Sequence, residues 1–90
     1  MPTIQFTYAL KRFYPGIDKL EVQAANVGEV VDLVEQHYPG LKAYLVDDQG
    51  SLRKHVNIFV DGSLIKDRIE LMDAVHENSE VYIMQALSGG

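Results

Sequence analysis

Three histidines, two adjacent aspartates and a terminal carboxylate are the groups of this chain whose types and spacing could carry chemistry. His37, His55 and His76 stand too far apart to make a recognisable ligand set, and none has the spacing of a helical two-histidine motif, so no metal site is expected. Asp47 and Asp48 precede Gln49-Gly50, a composition that reads as a solvated turn rather than an acid/base pair or a calcium loop. There is no phosphate-cradling glycine loop and no Gly-x-Ser-x-Gly elbow. With no cysteine in the chain, disulfides, thiolate metal sites, cluster ligation and cysteine nucleophiles fall together. What remains is the run QALSGG, residues 85–90. An α-carboxylate, with a pKa of about 3.3–3.7, is ionised at neutral pH and a poor electrophile, but another enzyme could activate it by adenylation. The protein would then be a substrate and not a catalyst. Gly89 and Gly90, lacking Cβ, can pass a channel that any side chain would block. The same pair also suits a frayed chain end. Leu87, two places before the glycines, argues for an anchored tail, because a merely disordered one tends to be polar.

Ordering such a tail costs roughly 1–2 kcal/mol per residue, so a folded body must supply the rest of any binding energy. The composition allows one. Ninety residues with 47% hydrophobic and 23% charged side chains are ordinary for a single globular domain, read as a body over 1–85 and a flexible tail over 86–90. The net charge of −5 argues against nucleic acid and suits a basic protein surface. No apolar stretch approaches a membrane span and no basic-then-apolar leader opens the chain, so it reads as cytoplasmic with no membrane partner.

Residues 4–10 alternate with period two and predict a first strand whose inward face holds Ile4, Phe6, Tyr8 and Leu10. Tyr14-Pro15-Gly16 signals a turn, and residues 20–24 resume the alternation, which makes a hairpin with a long connection. Asn26 with Glu29 three residues on has the form of a capping box. The helix it opens carries Val27, Val30, Val31, Val34 and Tyr38 as one apolar stripe and stops at Pro39-Gly40. Residues 41–54 have no period of their own. Residues 55–60 predict a central strand with Val56, Ile58 and Val60 facing the helix, and Asp61-Gly62 a tight turn into a short strand. Residues 66–77 fit a helical turn plus loop as well as a helix. Residues 80–85 form the last strand. The order implies an α+β domain, one main helix across one face of a mixed sheet and the other face bare.

Alternation also says what the bare face holds. Phe59 points away from Ile58 and Val60, Tyr82 and Met84 point away from Val81 and Ile83, and Leu64 follows the turn nearby. An aromatic, methionine-containing patch of this kind suits a protein partner, with Leu87 as its continuation into the tail.

In residues 56–60 with Asp61-Gly62, in Asn78-Ser79-Glu80-Val81, and in the closing Leu87-Ser88-Gly89-Gly90, the chain resembles the ThiS/MoaD family of ubiquitin-like sulfur carriers. The resemblance implies a β-grasp fold and a cycle in which an E1-like enzyme uses ATP and magnesium to adenylate Gly90. Sulfur then displaces AMP, giving a thiocarboxylate that feeds a sulfur-accepting biosynthetic enzyme. The carrier itself binds no cofactor and catalyses nothing. By the same similarity Phe59, Met84 and Leu64 fall where such carriers place exposed apolar contacts. Gln85-Ala86 stands in place of the proline-rich approach of a typical MoaD, and the long 41–54 segment is similar to that of carriers serving cysteine synthesis, so the pathway stays open among cysteine, molybdopterin and thiamin. Two other roles fit the same residues: a protein modifier conjugated through Gly90, and a non-covalent binding module with an idle tail.

Overall fold

A computed structural model describes residues 1–85, the Phe13 side chain excepted. The first alternating segment is shorter than its period suggests. Strand β1 covers Thr3–Phe6, and Thr7 then caps a short helix, α1 (Tyr8–Phe13). Tyr8 is 75% exposed while Leu10 is fully buried. A strand and a helix starting at Tyr8 both send Leu10 inward, but the helix exposes Tyr8 and buries Ala9, which the alternation turns outward, so the expectation of an inward Tyr8 is overturned. The switch shows in the backbone: the N–H groups of Leu10 and Lys11 both bond the Thr7 carbonyl, which opens a helical turn.

Strand β2 (Leu20–Glu21) pairs antiparallel with β1, which completes the expected hairpin. Helix α2 (Val27–His37) starts at Asn26, whose Oδ1 accepts the Glu29 N–H at 2.9 Å. Glu29 reaches back to the Ala25 N–H at 2.8 Å rather than to that of Asn26, a capping box displaced by one residue. The helix ends at the expected place, with Gly40 at φ +97°, where a Cβ would stand 2.9 Å from the Tyr14 hydroxyl. Residues 42–54 then fold into one turn of helix, α3 (Lys42–Leu45), and an Asp47-centred turn closed by the Val46–Leu52 bridge.

Strand β3 (Val56–Val60) turns through Asp61 (φ +52°) and Gly62 (φ +85°) into β4 (Ser63–Leu64), the two positive φ values that a two-residue hairpin of this hand needs. Strand β5 (Glu80–Gln85) closes the sheet. Among the described residues the strand order is β2-β1-β5-β3-β4, with β5 parallel to β1 and antiparallel to β3. The middle place belongs to β5, and β3 is interior beside it.

Residues 66–77 form no helix. Two aspartates organise them instead: Asp73 accepts the N–H groups of Lys66 and Asp67, and Asp67 those of Ile69, Glu70 and Met72. The loop returns the favour to α2, because the carbonyls of Asp73 and Leu71 accept the Val27 and Gly28 N–H groups at 3.0 and 2.8 Å. The first donors of the helix are thereby satisfied from across the fold.

All of the apolar stripe of α2 is used. Val27, Val30, Val31 and Val34 are fully buried against Ile4, Val56, Ile58, Val81 and Ile83 in one core, with Leu10, Leu41 and Leu45 closing its ends. At about 1.5–3 kcal/mol for each such side chain, the helix-facing side of the sheet supplies most of the stabilisation. Tyr38 finishes the stripe, edge-on to Phe6 at 6.1 Å.

Candidate functional site

The register of the strands assembles a row across the other side of the sheet. Gln5 of β1 stands opposite Tyr82 of β5, Tyr82 opposite Phe59 of β3, and Phe59 opposite Leu64 of β4. Directly opposed residues share a face, so the row runs over four strands. Met84, one step along β5, lies opposite Asn57 on the same side.

Phe59, Tyr82 and Met84 line a hollow of about 510 Å³ together with Gln5, Asp61, Gly62, Glu80 and Val81. None of its described lining residues belongs to a helix. Tyr82 is 40% and Leu64 49% exposed, and Phe59 and Met84 are half-buried. The structure therefore brings Phe59, Tyr82 and Met84 together, as alternation predicts, and puts Leu64 at the far end of the row beyond the hollow. Leu87, Gly89 and Gly90, with the tail over 86–90, lie outside the described residues.

Asp61 and Glu80 are the lining residues that sequence reading passes over. Asp61 reads only as half of an Asp-Gly turn and Glu80 only as the start of a strand. In the fold the Asp61 carboxylate accepts the Glu80 N–H at 2.9 Å and the Ser79 hydroxyl at 2.8 Å, Ser79 being buried. These bonds, the Glu80 N–H foremost, with His76 nearby, hold the Asp61 carboxyl below its ordinary pKa. The contacts join residues 18 and 19 positions apart, and no local pattern announces them.

The other chemically able groups have structural duties. Asp47 Oδ1 accepts the N–H groups of Gln49 and Ser51 at 2.9 and 3.0 Å, the solvated turn that its neighbours suggest. His37 contacts the Leu33 carbonyl one turn back through Nδ1, at 3.0 Å. No group of His, Cys, Asp and Glu side chains among the described residues is arranged to hold a metal ion. No helix among them is long and apolar enough to cross a membrane.

The fold and this face can be set beside known proteins. The ThiS family profile matches residues 9–90. Sequence comparison with curated proteins gives no match. Among solved structures, a chain of the BexX/CysO complex of Amycolatopsis orientalis is 26% identical, with all of both chains covered and a TM-score of 0.84. CysO of Mycobacterium tuberculosis is 24% identical over 97% of this chain and all of its own, at 0.81. Small archaeal modifier protein 1 (SAMP1) of Haloferax volcanii is 23% identical over 99% of this chain and 98% of its own, also at 0.81. The architecture is that of the ubiquitin-like β-grasp proteins, a mixed sheet with a helix packed across it.

Proposed function

The chain belongs to the ThiS family, and on that premise we propose that it is a sulfur carrier, a co-substrate of other enzymes with no catalysis of its own. In this reading an E1-like partner binds ATP and magnesium, and an oxygen of the Gly90 carboxylate attacks the α-phosphorus, releasing pyrophosphate. Sulfide then attacks the acyl-adenylate carbon, AMP leaves and the S–H proton is lost, so that Gly90 carries a thiocarboxylate. A biosynthetic enzyme takes the sulfur from there. Cysteine, molybdopterin and thiamin syntheses are the candidate destinations.

The observation that carries this reading is the apolar row Tyr82–Phe59–Leu64 with Met84, set on the side of the sheet that α2 does not use. Strand β5 supplies two of these residues, and its last residue, Gln85, directly precedes residues 86–90 in the sequence. The absence of cysteine supports it as well, since no thiol of the chain competes for the transferable sulfur.

Intact-mass spectrometry of the protein after incubation with an E1-like enzyme, ATP, magnesium and sulfide tests the proposal. The expected result is an oxygen-for-sulfur mass increase on the C-terminal peptide, absent from Gly90→Ala. An unchanged mass in the wild type defeats it. A second reading, a modifier joined to lysines through Gly90, is favoured by the likeness to small archaeal modifier protein 1. It shares the activation step and is separated by its product, an isopeptide adduct. Full cellular function after deletion of Gly89-Gly90 would reject both in favour of a non-covalent module.

A further inference from the structure

The outer face is chemically lopsided. At the end where β3 turns into β4 and β5 begins, Asp61 and Glu80 border the hollow that Phe59, Tyr82 and Met84 line, and none of its lining residues is basic. We infer that the partner seats a lysine or arginine against Asp61 and Glu80 and the apolar side chain beside it in the Phe59–Tyr82–Met84 hollow. This rests on reading the face as a docking surface and adds the partner's chemistry and its orientation.

Three observations carry the inference. Asp61 is exposed and yet fixed, since Oδ1 accepts the Glu80 N–H and Oδ2 the Ser79 hydroxyl from a buried residue. An ionised carboxylate has about four acceptor sites, so each oxygen keeps one free, on a group whose position is already set. Second, neither Asp61 nor Glu80 takes part in an ion pair among the described residues, where Met1–Glu77 and Lys42–Asp32 are the pairs formed. His76 lies near Asp61 and forms no ion pair with it among the described residues. Third, the chain as a whole carries −5, which draws in a basic surface and repels phosphate-bearing ones.

Polarity follows from the strand. Glu80 opens β5 and Gln85 ends it, five residues later. At about 3.3 Å per residue the two ends are ~16 Å apart. A partner contact at Gln85 and the partner's basic residue at Asp61 and Glu80 are then separated by about that distance, which gives the docked face a direction.

The test is an amide chemical-shift titration of the full ¹⁵N-labelled chain with two synthetic peptides, acetyl-Leu-Arg-Leu-amide and acetyl-Leu-Glu-Leu-amide. The arginine peptide is expected to move the amides of residues 59–62 and 80–84 several-fold more than the glutamate peptide. The excess should shrink when ionic strength is raised from about 0.01 to 0.15 M, as the screening length falls from about 30 to 8 Å. Glu80→Gln, at a side chain that makes no hydrogen bond or ion pair among the described residues, should reduce the excess, and Asp61→Asn with Glu80→Gln should abolish it. Equal responses to both peptides in the wild type, or shifts centred elsewhere, overturn the inference. No E1-like enzyme, ATP or sulfide is present, so its failure leaves the carrier chemistry standing, and failure of thiocarboxylate formation leaves a positive titration standing.

Discussion

Ile58 and Phe59 are neighbours on one strand and face opposite fates. Ile58 is fully buried beneath the valine stripe of α2, whereas Phe59 is half-buried in a hollow whose described lining comes from no helix. The same holds along β5 for Ile83 against Tyr82 and Met84. Both faces are apolar, but only one is packed by the chain itself. Strand alternation thus divides the apolar side chains into those that hold the fold and those left available for another molecule.

If the division is real, substitutions on the two faces must separate stability from binding. Ile58→Ala should cost about 2–5 kcal/mol in chemical denaturation, through lost burial and the cavity left under α2. A loss below ~1 kcal/mol would mean that the packed face is not as close-fitting as its burial implies. Arg68 marks where the division blurs. Strand β4 is two residues long, and past it the Arg68 guanidinium takes over the exposed edge of β3, donating to the Val56 and Arg53 carbonyls at 2.9 and 2.7 Å and to Asn57 Oδ1 at 3.1 Å. Removing it takes the donor from the Val56 carbonyl, while the Arg53 carbonyl keeps the Val56 N–H at 3.0 Å. Arg68→Ala is expected to destabilise by about 1.5–3 kcal/mol, and Arg68→Lys should restore little, since one ammonium cannot reproduce the planar fork.

Phe59→Asp and Met84→Asp probe the other face. Each should leave the unfolding midpoint nearly unchanged while weakening association with an E1-like enzyme roughly tenfold or more, about 1.4 kcal/mol. Loss of cooperative unfolding would assign that residue to the core instead. The smallest effect concerns acid. Backbone N–H groups, Glu70 first, hold the Asp67 carboxyl below its ordinary range. A carboxylate depressed in the folded state stabilises above its unfolded pKa, about 3.9, and that contribution disappears as pH falls through the folded value. Thermal midpoints should therefore drop below about pH 4, and Asp67→Asn should flatten the drop while leaving the binding face untouched.

Much of this was legible before the fold. The capping residues Asn26 and Glu29, the stripe from Val27 to Val34, the stop at Pro39-Gly40 and the Asp61-Gly62 turn are local signals, and each corresponds to an observed feature. Alternation in residues 56–60 and 80–85 was enough to separate Phe59, Tyr82 and Met84 from the core. Tyr8 was misread because a period of two persists across a strand-to-helix switch that only backbone bonding reveals. Residues 66–77 were illegible because their order comes from Asp67 and Asp73 collecting backbone donors, which leaves no period to find.

The sequence by itself determined which side chains lie on each face of β3 and β5 and where the main helix starts and stops, because those choices depend on residues a few positions apart. The tertiary structure alone decided that Asp61 meets Ser79, that the 66–77 loop caps α2, and that Arg68 guards the edge of β3. Those contacts pair donors and acceptors brought together from distant parts of the chain, and hydrogen-bond satisfaction of that kind is set by packing, for which a linear pattern carries no signal.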